Sequence, residues 1–149
     1  MVAYQYKFAK ILNVREQEKT ETELAYKESV IAFETVATEL YDLLKKKEDT
    51  VDAQNNQLKQ GLSINHIHHF SNFIDGLQKR INKVQKEVMQ ARSKMNWFEE
   101  KLLEKSIEVR KFEKIKEKDY ELFQQDQLRL ETIQLDEISS LKFQNKEIR

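Results

Sequence analysis

His66, His68 and His69 stand together in a chain that otherwise offers little chemistry. On a helix, His66 and His69 share a face, and imidazoles so placed can hold a metal ion. Two ligands rarely suffice, and no carboxylate or cysteine of suitable spacing completes the set. These residues therefore read as ordinary surface or capping histidines, with no metal and no cofactor. The chain has no cysteine, so disulfide and thiol chemistry are excluded. It carries no glycine-rich phosphate loop, no His-Glu-x-x-His pair and no nucleophile elbow. Carboxylates are abundant, but catalysis needs enclosed groups with perturbed pKa values. The expectation is no enzyme and no catalytic residue.

Binding surfaces remain, and composition says what must position them. The chain has 149 residues, no proline, two glycines and 35% charged residues. Such a sequence forms long helices with apolar stripes, not a ball around a central core. Acids and bases number 26 each, giving zero net charge, so bulk attraction to nucleic acid or anionic lipid is not indicated. The longest apolar runs, Met1–Tyr4 and Val30–Phe33, are far short of the ~20 residues of a membrane helix. They are also short of the ~7–15 residues of a signal-peptide core. A soluble, intracellular protein without membrane insertion is expected.

The organising element runs from Ile74 to Leu102. At steps of three and four it reads Ile74, Leu77, Ile81, Val84, Val88, Ala91, Met95, Phe98 and Leu102, with charges between. A spacing of about 3.5 residues held over four heptads predicts a coiled-coil helix. Phe70 and Phe73 broaden this seam at its start. Upstream, Leu24–Leu44 carries a wide stripe: Tyr26, Val30, Phe33, Ala37, Leu40 and Leu44 form one row, with Val36 and Leu43 beside it. Residues 15–23 hold no apolar side chain and read as a solvated stretch, or as a contact surface for a charged partner. Tyr4, Tyr6 and Phe8 alternate as in a strand, but the pattern beyond them favours helix. After Leu102 the same steps meet Lys105, Lys116 and Asp119, so the seam is expected to loosen. Trp97 is expected at the seam edge, with an exposed anchor for a partner as the alternative.

Residues 49–65 are the best break, with Asn55-Asn56 and Gly61 as turn formers and Ser63 or Asn65 as helix caps. The expected fold is all-α: one elongated antiparallel two-helix coiled coil, a helical hairpin with a longer, projecting C-terminal helix. Helix one spans about 6–58, the hinge about 59–65 and helix two about 66–145. Helix two would then reach ~120 Å against ~80 Å for helix one. Phe33 and Leu40 would face Val84–Val88, residues 15–23 would lie opposite 100–110, and Tyr4–Leu12 opposite 110–120.

The N-terminal run Tyr6-Lys-Phe8-Ala-Lys-Ile-Leu12-Asn-Val-Arg15-Glu16-Gln-Glu18 resembles the opening of the FliJ family. So do Phe73-Ile-Asp-Gly-Leu77 and Leu102-Leu-Glu-Lys-Ser-Ile-Glu-Val-Arg110-Lys-Phe112-Glu-Lys-Ile. The resemblance spans essentially the whole chain. It implies an antiparallel two-helix coiled coil in the bacterial flagellar type III export apparatus, at the cytoplasmic face of the cell membrane. It implies binding to the export ATPase FliI and to the membrane gate protein FlhA, coupling ATPase to export, with export chaperones as further partners. It places gate binding at Leu43, Phe73 and Leu77. Two other family gate positions fall on Arg80 and Val84, where the residue types differ from the family's. ATPase binding falls on Phe8, Leu12, Arg15 and Glu16, with Arg110 and Phe112 opposite. Two alternatives stand beside this: a generic coiled-coil scaffold or dimerisation protein, and a nucleic-acid-binding hairpin, against which the zero net charge argues.

Overall fold

A computed structural model describes residues 2–148, with side chains through residue 146. Two helices, α1 (Ala9–Gln60) and α2 (Ile64–Ile148), pack against each other as a hairpin. Among the described residues no helix is long and apolar enough to cross a membrane. The chain divides into two compact units, Thr20–Leu103 and Met1–Lys19 with Glu104–Arg149.

The Thr20–Leu103 unit contains the reversal. Only Gly61–Ser63 separate the helices, a shorter break than the sequence indicates, because α1 runs on to Gln60 and α2 begins at Ile64. Gly61 has φ 87°, a left-handed conformation that costs glycine little. Its N–H donates to the Leu58 carbonyl at 3.3 Å. Ser63 caps α2. Its Oγ accepts from the His66 N–H at 3.4 Å and sits 2.7 Å from His66 Nδ1. The serine hydroxyl thus serves the third helical N–H and the histidine ring at once, an N-cap without the reciprocal bond of a capping box.

The core of this unit is Leu43, Leu77, Ile81 and Val84, with Leu40 and Val88 packed on it. Burial of each such side chain contributes ~1.5–3 kcal/mol before entropy. Every position of the Ile74–Leu102 row is buried or half-buried, as its spacing predicts. On α1 the outcome differs. Within this unit its two buried positions are Ser29 and Leu43, while Leu44 is 44% exposed. The seam therefore follows Tyr26, Ser29, Phe33, Val36, Leu40 and Leu43, not the row ending at Leu44. Serine can occupy it because its hydroxyl donates to the Tyr26 carbonyl at 2.6 Å within its own helix. Across the seam Arg80 meets Glu39 at 3.5 Å, and Arg92 lies 5.9 Å from the Phe33 ring centre. Both pairings are antiparallel.

The other unit departs further from expectation. Residues 2–6 are not helical, and the turn at Lys7–Phe8 leads into α1 only at Ala9. Tyr4, Tyr6 and Phe8 lie along α2 as an extended arm, in place of a helix starting near residue 6. The Tyr6 hydroxyl donates to the Phe112 carbonyl at 2.9 Å, and the Tyr4 hydroxyl to Asp119 Oδ2 at 2.9 Å. These anchors give the arm partners that helical turns at residues 4–8 would not reach. Tyr6, Leu12 and Val109 form the core, with Tyr4, Phe8 and Phe112 packed around it. From Gln124 to Lys146, α2 is exposed at every position but Gln127.

Candidate interaction surfaces

Two surfaces combine unusual residues, one in each unit. In the Thr20–Leu103 unit a groove of about 600 Å³ lies between the helices. Lys46, Asp49 and Ala53 of α1 line one side, and His69, Phe70 and Phe73 of α2 the other. Phe73 is 43% exposed, and the Lys46 ammonium lies 5.6 Å from its ring centre. That is a favourable cation–π geometry at the lip of the groove. Lys45 pairs with Asp49 at 3.8 Å one turn away.

The predicted gate residues thus separate into two kinds. Phe73 presents its ring to solvent, whereas Leu43 and Leu77 are buried against one another's cluster. Val84 is buried in the same core, and Arg80 reaches Glu39. The structure brings Phe73 and Phe70 together at the groove and places the two leucines in the core of the same unit.

In the terminal unit the ring of Phe8 meets that of Phe112 at 6.2 Å, edge to face. Leu12 is buried against Val109 and Tyr6. Arg15 reaches Glu18 at 3.2 Å and Glu108 at 3.8 Å, and Lys105 reaches Glu18 at 3.2 Å. Arg15 Nε is buried and makes no hydrogen bond. The hydrogen bonds from Lys105 and then Arg15 hold the Glu18 carboxyl below its ordinary pKa. At Arg15 and Glu18 the apolar gap is therefore bridged by ions, which pair α1 with α2 there. Glu16 and Arg110 are exposed. Of the six residues predicted to bind an ATPase, four face α2 or α1, and Glu16 and Arg110 point outward.

Tyr4, Tyr6 and Asp119 were not singled out by type or spacing as site residues. Desolvation first, then the hydrogen bond to Asp119, pushes the Tyr4 phenol up to about 12. Desolvation also raises Tyr6. The readable signal was the Tyr-x-Tyr-x-Phe alternation, which is that of an extended segment with one face down. Trp97 is 54% exposed, with Lys101 over its ring at 5.4 Å, so it stands on the outer face of α2 and not at the seam edge. Among the described residues no group of three or more His, Cys, Asp or Glu is placed to hold a metal ion. His66 is the residue whose N–H the Ser63 cap receives.

Sequence comparison decides the family. The family described as Flagellar FliJ protein matches residues 4–147. The chain belongs to the FliJ family. A FliJ relative, the Flagellar FliJ protein of Bacillus subtilis (strain 168), is 38% identical over 142 residues, covering 95% of this chain and 97% of the relative. The FliJ match includes the tyrosine arm, both surfaces and the exposed end of α2. No solved structure matches the chain.

Proposed function

We propose that the chain is a component of the flagellar protein export apparatus. In this reading it binds the export ATPase FliI and the membrane gate protein FlhA at the cytoplasmic face of the membrane and couples the two. Membership of the FliJ family over nearly the whole chain carries the reading. Phe73 is the contact group for the gate, because a half-exposed aromatic beside a groove can bury itself in a partner at little conformational cost. Leu43 and Leu77 act beneath it by fixing the helix on which it stands. At the terminal unit, Glu16 and Arg110 meet the ATPase ring directly, while Phe8, Leu12, Arg15 and Phe112 hold the two helices at that end. Polar, exposed contacts suit a partner that must engage and release. Export chaperones are the third class of partner.

Co-purification with the gate protein tests the first contact. Phe73→Ala lowers recovery of the complex while helicity stays unchanged. A collapse of helicity would show that Phe73 serves the fold, and unchanged recovery would remove it from the interface. An ATPase assay tests the second. Full-length protein raises ring assembly and turnover, and Glu16→Ala with Arg110→Ala weakens both effects. No response of the ATPase to the full-length protein would overturn the proposed coupling.

A further inference from the structure

The tyrosine arm lies on α2 in the manner of a bound peptide. Among the described residues no backbone hydrogen bond ties residues 2–5 to α2. The nearest one, from the Ala9 N–H to the Tyr6 carbonyl at 3.2 Å, joins the arm to its own turn. The arm is held by its side chains. Tyr4, Tyr6 and Phe8 pack inward, while Val2, Ala3, Gln5 and Lys7 are exposed, the alternation of an extended segment. The Tyr4 ring meets Tyr120 edge-on at 5.0 Å and lies 5.2 Å from the Phe123 ring. The arm can therefore leave without breaking a helical hydrogen bond.

What lies beneath the arm has the features of a site. Phe112 and Phe123 supply an aromatic floor, and Val109, 3% exposed, packs with Tyr6. Two acceptors stand at fixed places along it, the Phe112 carbonyl for one hydroxyl and the Asp119 carboxylate for another. Because α1 begins at Ala9, an extended segment and not a helix covers this stretch. The matching ligand carries aromatic side chains at alternate positions, at least one with a hydroxyl for Asp119. We propose that this face of α2 is a binding site for an extended aromatic segment of a partner protein, held shut by the tyrosine arm as its displaceable occupant. Tethered beside the site, the arm acts at an effective concentration of about millimolar, so a free segment enters only as the arm is released or outcompeted. While closed, it keeps the aromatic floor from non-specific association. None of Phe73, Glu16 and Arg110 belongs to this site, so its test is independent of the contacts proposed above.

Magnetic resonance titration of the full chain tests this, with a peptide of residues 2–7 as the probe. Tyr4→Ala with Tyr6→Ala frees the arm. In that variant the peptide shifts amide signals of Val109–Phe123 and leaves those around Ile81 in place. The wild type needs at least about tenfold more peptide, because its own arm competes. Asp119→Ala in the variant and Tyr4→Phe in the peptide each weaken binding about tenfold, and the two together weaken it no further, since both remove one hydrogen bond to a charged group. Circular dichroism of the variant stays as helical as the wild type. A loss of helicity would make the arm a part of the fold and overturn the proposal. No shifts in a folded variant, equal affinity of the two chains, equal binding of a peptide with its tyrosines at adjacent positions, or additive losses would each overturn it too. So would a wild-type dimer dissolved by Tyr4→Ala with Tyr6→Ala, which would make the site a place of arm exchange between two copies.

Discussion

Leu43 and Leu44 are chemically identical neighbours with different surroundings, and replacing each by alanine separates seam from surface. Leu43 is 8% exposed and packs with Leu77, Ile81 and Val84. Its truncation removes buried methyl groups and leaves a gap that two straight helices close poorly, which costs ~2–4 kcal/mol. Leu44 keeps 44% of its surface in water. Its truncation also gains helix propensity, so the change stays within ~0.5 kcal/mol. Amide exchange of residues in the Thr20–Leu103 unit measures the difference where it arises. A loss of ~2 kcal/mol raises opening roughly 30-fold around Ile81 for Leu43→Ala, with almost no change for Leu44→Ala. Urea unfolding followed by helical circular dichroism gives the same order. Equal losses, or a larger loss at Leu44, would refute the seam through Ser29 and Leu43 and restore the row through Val30 and Leu44.

Three further outcomes follow from the polar contacts. Ser29→Ala is neutral or stabilising by up to ~1 kcal/mol, because the hydroxyl serves only its own helix and alanine is the better helix former; thermal melting checks this, and a loss above ~1 kcal/mol would contradict it. The Tyr4 phenol is raised in the folded chain, so its contribution is complete below the ordinary tyrosine pKa of 10.0 and is lost as pH rises through about 12. Ultraviolet titration should show Tyr4 and Tyr6 titrating late, with the latest step vanishing in Tyr4→Phe, and five tyrosines titrating together would count against the Asp119 bond. Glu18 is lowered, so its contribution is present above the ordinary value of 4.5 and is lost as pH falls through the folded pKa below it. Carboxylate chemical shifts should place Glu18 below the other glutamates, and Lys105→Ala should move it up; an unmoved titration would mean that Lys105 is not its main partner.

How much of this was legible depends on what fills the seam. Ile74–Leu102 could be read directly, since each seam position is apolar and its neighbours are charged. On α1 apolarity misled by one residue. Val30 and Leu44 look like seam residues, but Ser29 and Leu43 are the buried ones, because a serine satisfied by its own helix is as small and dry as an alanine. Past Leu102 the register continues through Lys105, Val109, Phe112, Asp119 and Phe123. It reads as decay because Lys105 and Asp119 are charged. Their partners, Glu18 and Tyr4, lie about ninety and more than a hundred residues away in the chain, beyond any local pattern. The arm shows the same effect. Its alternation was visible, but the hydroxyl acceptors that select the extended form are on another element. The exposure of Phe73 could not be read either, since three and four residues past Phe70 are both seam-like steps, and only the facing helix decides between Phe73 and Ile74.

The three-residue connection at Gly61–Ser63 also sets an order in time. Lys47 meets Gln78 across a loop of 31 residues, whereas Tyr4 meets Asp119 across 115. Closing the longer loop from an open chain costs ~1 kcal/mol more entropy than closing the shorter one. If the contacts beside the turn form first, each later pair closes only a few extra residues, and that difference disappears. The helices are then expected to zip from the turn outward, with Leu43 on Leu77 early and the tyrosine arm last. The order of release under mild denaturant is the reverse, beginning at Tyr4.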